Sequence, residues 1–171
     1  LAITQVTFVA VTAIASLLGA GSIAVFQLSF NLQSIPLAVI GLSFSVAAFP
    51  TMAELIVRRE RSLFFEHVVS ASRSIMFWTL PISVLFIVLR AHIVRVVLGA
   101  GEFSWADTRL AAASLALFAI GIVAQSLVAL YVRAFYAIGN VRVPVVVNAF
   151  ALIVTVVCGF FFVRLLQEVP V

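Results

Sequence analysis

From Leu1 to Ala53 the sequence carries no charged side chain at all. Nothing else constrains the fold as strongly. In water so long an apolar stretch would need a core larger than the rest of the chain could cover, whereas in a bilayer roughly 20 apolar residues make one helical crossing. The remainder agrees: 65% of the 171 residues are hydrophobic and 9% charged, against about half and about a quarter in a soluble domain. So few charges cannot solvate a surface, which excludes a cytosolic enzyme, a disordered tail and a disulfide scaffold. Lipid offers no partner to a backbone N–H or C=O, so the expected fold class is all-α, a polytopic transmembrane helix bundle of about five spans.

Turn signals divide the chain into spans at about 1–18, 23–49, 67–89, 108–136 and 144–166. Gly19-Ala20-Gly21-Ser22 supplies the first turn, with Ser22 as N-cap of the second span. Pro36 lies mid-span, where its ring removes a backbone hydrogen bond; it is the hinge candidate. Pro50 is expected to end its helix, and Pro144 to take the first helical position of the fifth. Residues 90–99 read as a short interfacial helix with Ile93, Val96 and Val97 on one side, and Gly99-Ala100-Gly101 as a turn. Because the chain opens inside an apolar run with no basic segment ahead of it, its first segment reads as a span entered partway, not a signal peptide. That makes the chain a fragment of something longer.

Ten arginines, no lysine and six acids give a net charge of +4. The arginines sit at the edges of apolar runs and do not interleave with exposed aromatics, so no nucleic acid is expected as a partner. In antiparallel spans Arg58, Arg59, Arg61, Arg73, Arg133 and Arg142 fall on one side. Arg90, Arg95, Arg109 and Arg164 fall on the other. The excess puts residues 54–66 in the cytoplasm.

Polar residues recur inside the apolar runs at helical spacing. Gln27, Asn31, Ser34, Ala38, Gly41 and Ser45 share one face of a straight helix. Gln5, Thr12 and Ser16 repeat the pattern in the first span, Ser114, Gly121 and Gln125 in the fourth, and Asn148, Thr155 and Gly159 in the fifth. Two readings stand beside each other: close helix packing through small and polar residues, or a hydrated cavity lined by amides and hydroxyls. The hydroxyls and glycines favour packing two to one. Gln27, Asn31 and Gln125 divide evenly, since a carboxamide has more hydrogen-bonding groups than one helix contact satisfies. Arg73 and Arg133 lie about two turns inside the cytoplasmic boundary, either snorkelling or at a cavity mouth.

Other chemistry finds no support. His67 and His92 fall on opposite sides, so no metal site forms around them. No acid lies within a span to act as base or proton carrier, and no serine has a histidine and an acid to activate it. Cys158 is alone. No enzyme, metal or cofactor is expected.

Ile35-Pro36-Leu37, Gly41 and Ala48-Phe49-Pro50-Thr51-Met52 resemble the MurJ/MviN lipid II flippases, of the multidrug/oligosaccharidyl-lipid/polysaccharide exporter superfamily. Arg73 with Leu80-Pro81, and Gly101-Glu102-Phe103 with Asp107-Thr108, continue the likeness. So does Arg133-Ala134-Phe135-Tyr136-Ala137 with Asn140, Arg142 and Pro144. The resemblance covers about residues 19–163 and implies the opening spans of the second lobe of a two-lobed transporter in the bacterial inner membrane. It further implies alternating access that carries an undecaprenyl-pyrophosphate-linked peptidoglycan precursor outward. The partners so implied are that precursor, membrane lipids and the remaining lobe of the same polypeptide. Its cavity candidates are Gln27, Asn31, Ser34 and Gln125, with Arg73 and Arg133 at the mouth. Many members have an arginine at the position of Asn31, so here either guanidinium partners for a pyrophosphate come from other arginines or the substrate differs. A polysaccharide-lipid or multidrug exporter, or a non-transporting membrane scaffold, is the alternative.

Overall fold

A computed structural model of the chain describes residues 2–15, 22–98 and 105–167, nearly all of them helical and none in a strand. The elements are α1 (Ala2–Ala15), α2 (Ser22–Pro36), a π-helical turn (Leu37–Leu42), α3 (Ser43–Val57), α4 (Arg61–Leu98), α5 (Trp105–Ala137) and α6 (Arg142–Gln167). Among the described residues four stretches are long and apolar enough to cross a membrane: Ile23–Val57, Arg61–Val97, Thr108–Ala137 and Arg142–Phe161; Gln5–Ile14 is a shorter apolar helix. The expected turns at 19–21 and 99–101, and Ser16, lie outside the described residues.

The chain divides into two compact units, Leu1–Phe26 with Val141–Val171, and Gln27–Asn140. In the first, α1 packs on α6. Gly159 makes room for Ile14, whose Cδ1 would lie 2.7 Å from a Cβ added there. Three polar side chains of this unit turn back on their own helices: Thr12 Oγ1 donates to Phe8 O, Asn148 Nδ2 to Pro144 O and Thr155 Oγ1 to Ala151 O, each at 2.8 Å. Such i to i−4 bonds satisfy a polar group without any neighbour.

In the second unit, α4 and α5 make the most extensive contact, and the π turn and α3 lie against both. Met52, Phe64, Ile75 and Leu130 form its apolar core with Ala48 and Ala134. Elsewhere small and hydroxylic residues are buried beside aliphatic ones: Ser29 and Ser45, Ala111 and Ala119, Thr79 and Ser83, with Leu115 and Ile122. Lipid tails are as apolar as leucine, so helices in a membrane associate by close approach and cross-helix hydrogen bonds.

Three of the sequence expectations are corrected. Pro50 lies inside α3, which runs on to Val57. Ending the helix at membrane depth would leave a whole turn of carbonyls unpaired in lipid, whereas carrying Pro50 through costs only the bond to Val46 O. Residues 90–98 continue α4 without a break. No glycine or proline separates them from the preceding span, and the 38-residue helix, roughly 57 Å long at about 1.5 Å per residue, outreaches a hydrocarbon core of about 30 Å. Pro144 is the third residue of α6 and not the first, because the helix opens at Arg142.

At one end of the second unit two helices terminate in the same way. After α5, Gly139 at φ 80° lets Gly139 N–H bond Tyr136 O at 2.9 Å and Asn140 N–H bond Phe135 O at 3.0 Å. After α3, Arg59 N–H bonds Ile56 O and Glu60 N–H bonds Leu55 O, both at 3.0 Å. Both are Schellman closures. The second, however, holds Arg59 itself at φ 59°, where an L side chain costs about 1–2 kcal/mol that glycine avoids.

Candidate functional site

The helix through Ile23–Val57 changes its buried face at the π turn. Before it, Ser29, Gln33 and Pro36 are buried; after it, Gly41, Ser45, Ala48 and Met52 are. A straight α-helix rotating about 100° per residue would not keep both sets on one side. A π turn accommodates one extra residue, and that residue rotates the second stripe back onto the same neighbours. The sequence expectation of one polar face through Gln27, Asn31, Ser34, Ala38, Gly41 and Ser45 is corrected accordingly. Gln27, Asn31 and Ala38 are exposed, Ser34 is half-buried, and Gly41 and Ser45 are packed inside.

The turn begins directly after Pro36, whose ring occupies the space an N–H bond to the previous turn would use. Serines take up the altered carbonyls. Ser43 Oγ donates to Ala38 O at 3.2 Å and Ser45 Oγ to Gly41 O at 2.5 Å. Gly41 meets α5 at Ser126, whose Oγ donates into its own helix, to Ile122 O, at 2.7 Å.

The helices present two kinds of polar surface. The inner one is a seam. Ser29 Oγ donates to Ala111 O at 3.3 Å, Ser72 Oγ meets Tyr131 Oη at 3.4 Å, and Ser83 Oγ donates to Ala119 O. Gln125 Nε2 donates to Gln33 Oε1 at 3.5 Å, with Gln33 itself 1% exposed. Gln33 is not among the residues that the sequence singles out. Its only signal is a second carboxamide two residues from Asn31, on the opposite side of the helix. The seam matches the packing alternative for the small residues and extends it to Gln125.

The outer surface is the face of α2 that carries Gln27 and Asn31, both exposed on this chain, with Ser34 Oγ donating to Asn31 O at 2.7 Å. Arg73 is exposed on α4, and Arg133 is half-buried on α5 with Nη1 donating to Ala129 O at 3.0 Å. No hydrogen bond or ion pair joins either arginine to Gln27, Asn31 or Ser34 among the described residues. The candidate residues thus form three separate places: an amide face on α2, a Gln33–Gln125 contact, and two arginines. No group of three potential metal ligands occurs among the described residues. His67 Nε2 is buried there without a hydrogen-bond partner.

A family profile described as "Lipid II flippase MurJ" matches residues 1–170. A probable lipid II flippase MurJ of Thermotoga maritima is 31% identical over 164 residues, covering 94% of this chain and 34% of that protein. One of Rhizobium tropici is 31% identical over 174 residues, covering 97% and 31%. A third, of Buchnera aphidicola, is 22% identical over 167 residues, covering 98% and 33%. The chain therefore spans about a third of the length of the curated relatives it matches. No solved structure matches it.

Proposed function

Because the chain belongs to the lipid II flippase MurJ family, we propose that it supplies helices of one lobe of an inner-membrane transporter that carries a polyprenyl-pyrophosphate-linked peptidoglycan precursor between leaflets. The exposed amide face of α2 carries this reading. On one helix, Ser29 and Gln33 are buried against α5 while Gln27 and Asn31 stand open on the other side. A polar side chain left unbonded in hydrocarbon is costly. Two carboxamides one turn apart therefore belong against water, substrate or the rest of the polypeptide, not against acyl chains.

Each carboxamide both donates and accepts, which suits the sugar and peptide of such a precursor. A pyrophosphate calls for guanidinium partners. Arg73, exposed, and the remaining N–H groups of Arg133 would supply them at the mouth. Pro36 and the π turn after it would act as the hinge for alternating access, since this turn lacks the regular ladder of an α-helix. The chemistry asked of these residues is binding and release; no bond is made or broken.

The test is complementation. Cells depleted of their own lipid II flippase receive the complete polypeptide with Asn31→Leu. The expected result is normal membrane insertion with loss of growth and accumulation of the precursor in the inner leaflet. Growth equal to the unsubstituted protein would contradict a cavity role for this face and favour the scaffold alternative, which the Gln33–Gln125 contact supports.

A further inference from the structure

A cavity of the second unit lies where α3 and α5 end and α4 begins. It measures about 770 Å³ and is lined by Arg59 and Arg61 together with Ile56, Phe64, Phe65 and Ile138. We propose that it is a binding site for one anionic phospholipid of the surrounding leaflet, with the phosphodiester held between the two guanidiniums and the glycerol and first methylenes against the apolar wall.

Three observations converge. First, charge: among the described residues Arg59 and Arg61 line the cavity and no carboxylate does; Glu60, between them in sequence, is exposed and outside the lining, and Glu54 is paired with Arg58 at 2.6 Å. Arg59 and Arg61 have no ion pair among the described residues. Second, depth: the spans Ile23–Val57 and Arg61–Val97 meet at this level and Thr108–Ala137 ends there, so the cavity sits at the membrane boundary, where headgroup phosphates lie. Its four apolar lining residues would be wasted on a free anion.

The third observation is the backbone. Two helices close with the same hydrogen-bond pattern at this end, one with Gly139 in the left-handed region and the other with Arg59. Glycine would close the α3 turn without strain, yet an arginine stands there and reaches the cavity. A strained backbone that persists beside a cavity points to a use for the side chain. Two guanidiniums on a short turn suit a phosphodiester, which accepts from both.

This site is separate from the amide face and does not depend on what the whole protein transports. It is tested on the complete polypeptide, purified in a neutral maltoside detergent, by titration with dioctanoyl phosphatidylglycerol. Dioctanoyl phosphatidylcholine, inorganic phosphate and farnesyl pyrophosphate are the other probes. The phosphatidylglycerol is expected to bind saturably and the other three at least roughly tenfold more weakly. Arg59→Gly and Arg61→Gln should each weaken that binding severalfold. Arg59→Gly should at the same time leave the thermal midpoint unchanged or raise it, because it relieves the turn. Phosphatidylglycerol binding that both variants leave intact would overturn the proposal. So would equal binding of phosphatidylcholine or inorganic phosphate, or tighter binding of farnesyl pyrophosphate, which would assign the cavity to an isoprenoid substrate. A fall in thermal midpoint in Arg59→Gly would show that Arg59 is kept for structure, and would overturn it too.

Discussion

Gly41 and Ser126 stand so close that a Cβ on the glycine would lie 2.6 Å from Ser126 Oγ and 3.0 Å from its Cα. The hydroxyl could swing away, but the α5 backbone could not. Gly41→Val should therefore destabilise the complete protein by about 1–3 kcal/mol through overpacking. Ser126→Gly in the same chain should recover part of the loss. Thermal unfolding in detergent measures both; an unchanged midpoint in Gly41→Val would mean that the two helices are not in contact here.

The Gln33–Gln125 bond, at 3.5 Å, is long. Its worth should be small even in a membrane, about 0.6 kcal/mol. A double-mutant cycle with Gln33→Leu and Gln125→Leu measures it. Coupling below about 1.7 kcal/mol is expected. No coupling at all would place the two amides apart and remove the contact that fixes the inner side of α2.

The π turn makes an unusual deletion tolerable. Val39 lies within it and is 64% exposed. Removing one residue from an ordinary transmembrane helix rotates everything beyond by about 100° and ruins the packing. Removing Val39 should instead convert the π turn into α-helix and keep Ser29 and Gln33, Ser45 and Met52 on one side. The shortened protein should remain monodisperse, with a thermal midpoint near that of the parent. Deleting Val46, exposed in α3, should abolish folding. Equal damage from the two deletions would contradict the role assigned to the turn.

The same turn explains where the sequence could and could not be read. The charge-free run to Ala53 and the arginine-edged spans made an all-α membrane bundle legible, because hydrocarbon leaves the backbone few options. That Gln27 and Asn31 share one side of α2 was legible as well, since a period of four residues within a helix needs no tertiary information. The extension of that face to Gly41 and Ser45 failed because Pro36 signals a disturbance without saying that one residue will be added. Pro50 misled for a related reason: in lipid, ending a helix strands a whole turn of carbonyls, so losing one bond to a proline is the lesser cost. Gln33 was hidden in plain view, because nothing local tells a carboxamide facing a neighbour from one facing out. Arg59 in a glycine's conformation has no sequence signal beyond a charged turn.

Thiol accessibility on the two sides of α2 tests the account most directly. Single cysteines replace Gln27, Asn31 and Gln33 in the complete polypeptide, with Cys158, which is exposed, changed to alanine. Intact cells are treated with a small water-soluble maleimide, and labelling is read on the purified protein. Cysteines at 27 and 31 should be modified readily and the one at 33 should be protected. Protection at 31 equal to that at 33 would mean that the amide face is as dry as the seam behind it, and would contradict a hydrated pathway along α2.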